Sequence, residues 1–72
     1  MTEQFMPFLK DYPYDPQNFR FLGSPIDGIQ FCEDKIIFIE FKTNSAQMSA
    51  KQRLIEDLVA QKKVQFEEHR LE

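Results

Sequence analysis

Cysteine, glycine and tryptophan are scarce in this chain, which carries one, two and none of them among 72 residues. A lone Cys32 excludes an internal disulfide framework, and it fits a reducing compartment or a simple packing role. No apolar run approaches the ~18 residues that a membrane span needs, and no charged-then-apolar leader opens the sequence. A soluble, cytoplasmic protein without a membrane partner is therefore expected. Positive charge is also short: 9 basic residues face 12 acidic ones, for a net charge of −3. That balance excludes a generic nucleic-acid binder, whose footprint would be basic. Any contact with nucleic acid has to be local and assisted by a metal. The length allows one domain, 1–72, and a chain this short buries only about 60% of its unfolded surface.

Aromatic residues are abundant by contrast, with eight Phe and two Tyr. A sheet of three or four strands does not cover that many rings, so a partner surface is implied. A homodimer is expected, with the aromatic N-terminal third as its interface.

Along the chain, TEQFMPFL (2–9) offers Thr2 as an N-cap and Phe5, Phe8 and Leu9 at helical spacing, while Pro7 limits the helix to one or two turns. Next, KDYPYDPQN (10–18) holds Pro13 and Pro16, which deny it ladder hydrogen bonds and make it an arm. Tyr12 and Tyr14 there have two uses, stacking on nucleic acid or packing onto a core or subunit interface. Residues 19–22 read as a short extended approach, broken by Gly23, Ser24 and Pro25. Strands are predicted over 26–32 and 35–42. The second, KIIFIEFK, is apolar almost throughout, as in a central strand covered on both faces. Ser49 caps a helix over 50–62, with Leu54, Ile55, Leu58 and Val59 forming its apolar stripe. The tail 64–71 alternates and reads as a strand parallel to 35–42, reached by a right-handed crossover. The fold class is α/β: an irregular arm over 1–22, then a core over 23–72.

Chemistry concentrates at Asp27, Glu40 and Lys42. A hairpin with Glu33 and Asp34 at its tip sets Phe31 against Ile36, Ile29 against Phe38 and Asp27 against Glu40. Opposed residues share a face with Cβ atoms about 4.5–5.5 Å apart, and Lys42 falls on the same face one step on. Two carboxylates so placed repel unless a cation is shared. A hard cation such as Mg²⁺ or Mn²⁺ suits the set, because it takes a few carboxylate oxygens and keeps waters for substrate phosphates. The backbone carbonyl of Phe41 is a third candidate ligand, and Lys42 is placed to offset charge building on a phosphate. The plain alternative is a turn at Asp27 and a solvated strand end carrying a minor salt bridge. Gln52 lies at the edge of the helical stripe, beside Val59, within reach of the cluster or of water.

From 21 to 71 the chain resembles the Holliday junction resolvase-related endonucleases of the PD-(D/E)XK nuclease superfamily. FLGSPID (21–27), IEFKTN (39–44) and MSAKQRLI (48–55) carry the resemblance, and YPYDPQNFRF (12–21) is similar to the family's lead-in. The resemblance implies a minimal restriction-endonuclease-like core in which Asp27 and Glu40 bind Mg²⁺ (or Mn²⁺). Lys42 would assist hydrolysis of a DNA phosphodiester, and Gln52 would correspond to the glutamine on the helix after the motif. Resolvase-like members also place an acidic residue on the first helix near the metals, and Glu3 is its counterpart. The superfamily core usually begins with a full helix and an additional strand, whereas here the upstream part is an arm. The implied function is a Mg²⁺-dependent DNA endonuclease acting on branched or Holliday junction DNA. The alternative is a non-catalytic nuclease-fold module for DNA docking or dimerisation.

Overall fold

Two residues, Glu33 and Asp34, turn the chain back on itself, and the Cys32 N–H closes the turn on the Lys35 carbonyl at 2.9 Å. This computed structural model describes residues 11–43 and 45–71. The turn joins β2 (Gly28–Phe31) to β3 (Ile36–Ile39), with Gly28 opposite Ile39, Ile29 opposite Phe38 and Phe31 opposite Ile36. That is the register expected from a Glu-Asp tip. A third strand, β1 (Phe19–Phe21), pairs antiparallel with β2, giving the order β1-β2-β3. The stretch read as an approach is thus part of the sheet. Three residues give too little alternation to announce a strand, and the bend after it supplies the pairing. The Asp27 carbonyl accepts from the Leu22 N–H at 2.7 Å and the Gly23 N–H at 3.1 Å, while Gly23 takes φ 90°, which its missing Cβ permits.

Directly opposed residues share a face, so Phe19, Gln30 and Ile37 line one side of the sheet. The arm covers that side. Tyr12 and Phe19 both lie against Phe41, with ring centroids 6.1 and 5.9 Å away, and Tyr12 meets Tyr14 edge-on at 5.6 Å. The fastening is polar. Gln30 is fully buried; its Oε1 accepts from the Tyr12 hydroxyl, and its Nε2 donates to the Asp15 carbonyl at 2.7 Å. Asp15 in turn caps a short 3₁₀ turn, Pro16–Asn18, by accepting from the Gln17 N–H at 3.0 Å. Of the two uses foreseen for these tyrosines, Tyr12 takes the packing one.

Burial pushes the Tyr12 phenol above its ordinary value, with Tyr14 and Cys32 adding to the shift. A folded-state value raised above the unfolded one stabilises the fold below the unfolded value and is lost as pH rises through the folded one. Absorbance titration should therefore show Tyr12 ionising above the ordinary tyrosine range, with the arm loosening as it does. The Tyr12→Phe variant should remove that step.

Gly28 is needed for closeness of approach. A Cβ there would overlap the Arg20 carbonyl oxygen and the Phe19 ring, which is itself only 3% exposed. Gly28→Ala should cost about 1–3 kcal/mol through overpacking, read as a lower midpoint in chemical denaturation.

The opposite face carries α1 (Ala50–Ala60). Ile55, Leu58 and Val59 of this helix meet Ile26 and Phe38 across a groove of about 320 Å³. The helix is shorter than the predicted 50–62. Gln61 caps it, and Lys62 takes φ 59°, reversing the chain. Lys63 and Val64 line the same groove, together with Leu22 and Pro25.

Two expectations change here. The parallel strand is not formed, since 64–71 lies outside the sheet with every residue exposed. Among the described residues the apolar run 35–42 is consequently an edge strand, not a central one: Ile36 and Phe38 are 59% and 38% exposed, while Ile37 and Ile39 are half-buried. The chain turns at Lys62 and 64–71 makes no backbone hydrogen bond to the sheet, so nothing among the described residues pairs with the second side of β3. The helix expected over 2–9 lies outside the described residues. Among the described residues, no helix is long and apolar enough to cross a membrane.

Candidate active site

The hairpin ladder does not stop at Gly28 and Ile39, because side chains continue it for one more step. The Asp27 N–H donates to Glu40 Oε1 at 2.9 Å, and the Phe41 N–H donates to Asp27 Oδ2 at 2.8 Å. Each carboxylate thus satisfies a backbone donor at or beside the other. This reciprocal arrangement explains how two acidic groups sit opposed on one face: charge-assisted hydrogen bonds from N–H groups offset their repulsion.

The second oxygen of Glu40 is equally engaged. Lys42 Nζ lies 3.0 Å from Glu40 Oε2, and Gln52 Nε2 donates to the same oxygen at 2.9 Å. The Glu40 side chain is only 14% exposed and that of Lys42 30%, so this pair is less screened than a surface salt bridge. Gln52 ties three elements together. Its Oε1 accepts from the Ser49 N–H at 2.9 Å, its own N–H donates to Ser49 Oγ at 3.2 Å, and its Nε2 also reaches the Pro25 carbonyl at 3.0 Å. The capping box that starts α1 therefore also holds the glutamine against the strand end and the Gly-Ser-Pro bend.

The structure brings Asp27, Glu40, Lys42 and Gln52 together, with the Phe41 backbone between Glu40 and Lys42. Glu3 lies outside the described residues. Asp27 Oδ1 accepts no hydrogen bond from the described residues. The donor set suits a cation that takes one or two carboxylates and retains water, as Mg²⁺ does. It does not suit one needing an all-protein cage, since no group of three His, Cys, Asp or Glu residues converges among the described residues.

Other polar and charged side chains lie away from the cluster. The Arg20 guanidinium donates to the carbonyls of Gln17 and Phe19 at 3.0 and 3.1 Å, which makes it a brace for the arm. Lys51 and Arg53 are exposed on α1, and Cys32 is a half-buried free thiol. His69 pairs with Glu67 in the tail at 2.9 Å. Sequence reasoning missed the roles of Ser49 and Pro25 in holding Gln52. The S-x-x-Q spacing of a capping box was the available signal for Ser49. The Pro25 carbonyl had none, because its position follows from the bend.

A family model described as "Endonuclease related to archaeal Holliday junction resolvase" matches residues 1–71. No curated protein and no solved structure matches the chain. With 71 of its 72 residues matched, the chain belongs to the family of endonucleases related to archaeal Holliday junction resolvase.

Proposed function

We propose that this chain is a Mg²⁺-dependent (or Mn²⁺-dependent) endonuclease that hydrolyses phosphodiester bonds in branched DNA. The observation that carries the proposal is the reciprocal clamp: Asp27 and Glu40 are fixed on one face by each other's strand, with Lys42 3.0 Å from Glu40. Asp27, Glu40 and the backbone carbonyl of Phe41 would hold the cation. When bound, the cation supplies a more acidic water and polarises the phosphate. The chain's own residues supply placement. Glu40 holds the Lys42 ammonium at the strand end, where it offsets negative charge gathering on the phosphate oxygens. Gln52 is a positioning residue, keeping the Glu40 carboxylate fixed against the helix. The net charge of −3 leaves DNA contact to this local cluster. Two copies would present two such clusters, matching a branched substrate with two-fold symmetry.

One observation favours a second reading, a non-catalytic module for DNA docking or dimerisation. Both Glu40 oxygens already accept hydrogen bonds from within the chain, so the carboxylate is satisfied without a cation. A cleavage panel separates the two. Linear, flapped and four-way DNA are incubated with the protein at fixed salt, with and without Mg²⁺, because phosphate-driven affinity varies steeply with salt. Cleavage of branched DNA only with Mg²⁺ is the expected result; binding without cleavage under every condition would establish the docking module.

A further inference from the structure

A second cavity, of about 310 Å³, shares Phe38 and Ile55 with the groove described above and reaches the cluster, where Glu40 and Gln52 form part of its wall. That volume is at the lower end of small-molecule sites, roughly 300–1,000 Å³. Its apolar walls come from both layers, with Phe38 from β3, Met48 from the segment before α1, and Ile55 from α1 itself. Phe38 is 38% exposed, which leaves ring surface uncovered. The polar groups are nearly all committed: Gln52 donates to Glu40 and to the Pro25 carbonyl and accepts from Ser49, and both Glu40 oxygens are engaged. Glu56 is the exception. It lies one helical turn after Gln52 on the same face, is exposed, and has no hydrogen bond or ion pair among the described residues. No basic side chain lines the cavity among the described residues.

These features restrict the chemistry of an occupant. Two carboxylates without a basic side chain disfavour a phosphate, so the backbone of a DNA strand does not suit this cavity. Apolar walls with an open ring suit an aromatic ligand, and the unpartnered carboxylate suits an N–H donor at the ligand's edge. A nucleobase with an exocyclic amino group has both. Glu40 belongs to the cluster and to the cavity, so a nucleotide held at the one has its base beside the other. We infer that the cavity receives an unpaired base next to the scissile phosphate, and that Glu56 is a specificity-determining residue which accepts from the amino group of that base. A branch supplies such bases already unpaired, which lowers the energy needed to take them out of the stack. Thymine fits less well, because its one N–H lies between two carbonyls that the carboxylate repels. The inference rests on the nuclease reading for the strand engaged and adds a base preference to it.

Fluorescence anisotropy at fixed salt tests it with flapped DNA whose two unpaired nucleotides at the branch are both C, both T or both abasic. Binding is measured in Ca²⁺ for the full chain and for Glu56→Ala, and cleavage of the same DNAs is then measured in Mg²⁺. C and T have the same ring size, so their comparison isolates the donor. The expected order for the full chain is C over T over abasic, each step about fivefold, from one charge-assisted hydrogen bond and from stacking in turn. Glu56→Ala should bring C and T together while both stay ahead of abasic DNA. Glu56 is exposed and alanine is the best helix former, so the variant keeps the fold, which circular dichroism checks. Equal binding of C and T by the full chain, or a preference that survives in Glu56→Ala, would overturn the inference. The nuclease reading fails separately. A preference for C without cleavage in Mg²⁺ would support the base site and remove the catalysis, whereas cleavage indifferent to the base would do the reverse. No binding to any of the DNAs would overturn both.

Discussion

Asp27→Asn should lower Mg²⁺-dependent DNA cleavage by more than about 100-fold, since even groups that merely support metal ligands cost 10–100-fold when lost. The same substitution should leave the fold almost untouched. Asp27 Oδ2 accepts the Phe41 N–H, and an asparagine carbonyl still accepts it, more weakly but with less repulsion from Glu40; the amide NH₂ then replaces Oδ1, which accepts no hydrogen bond from the described residues. Only the charge is removed. Glu40→Gln is a less clean test. Oε1 faces the Asp27 N–H, while Oε2 faces the Gln52 and Lys42 donors, so either orientation of an amide sets its NH₂ against a donor. That variant should lose both activity and about 1–3 kcal/mol of stability. Activity and denaturation midpoints measured together distinguish the two, with Asp27→Asn inactive but stable and Glu40→Gln inactive and weakened.

Gln30→Leu should be the most damaging change away from the cluster, at about 2–4 kcal/mol. The side chain is fully buried and joins β2 to the arm through the Tyr12 hydroxyl and the Asp15 carbonyl. Leucine fills similar space but leaves both partners without a hydrogen bond, and branching at Cγ alters the packing beneath Phe19. Small domains hold only about 5–15 kcal/mol in total, so a loss of that size is a large share. Denaturation should shift to a much lower midpoint. In the absorbance titration, Tyr12 should ionise nearer its ordinary range as the arm detaches from the sheet.

The hairpin was legible because two apolar stretches flank a tip with an even number of residues, which sets Asp27 against Glu40. The helix start was legible from Ser49, and the prolines identified the arm. The fastening of the arm was not, because a glutamine within a strand carries no mark that its neighbours will bury it. Its long-range partners, the Tyr12 hydroxyl and the Asp15 carbonyl, make Gln30 a core residue. The run 35–42 misled for a related reason. An apolar strand signals burial, but not which neighbours supply it. The tail alternates in sequence, yet 64–71 forms no strand, because alternation does not encode the turn at Lys62 that precedes it. Gln52 was placed at the edge of the apolar stripe, and the capping box selects its orientation toward Glu40 over water.

The central claim is that the clamped pair of carboxylates is a divalent-cation site, and calorimetric titration with Mn²⁺ measures that without any assumption about the DNA. The unaltered chain should give a saturable heat with one strong site per copy, and Asp27→Asn should abolish it while its circular dichroism stays the same. No heat with the unaltered chain, or the same heat with Asp27→Asn, would contradict the account.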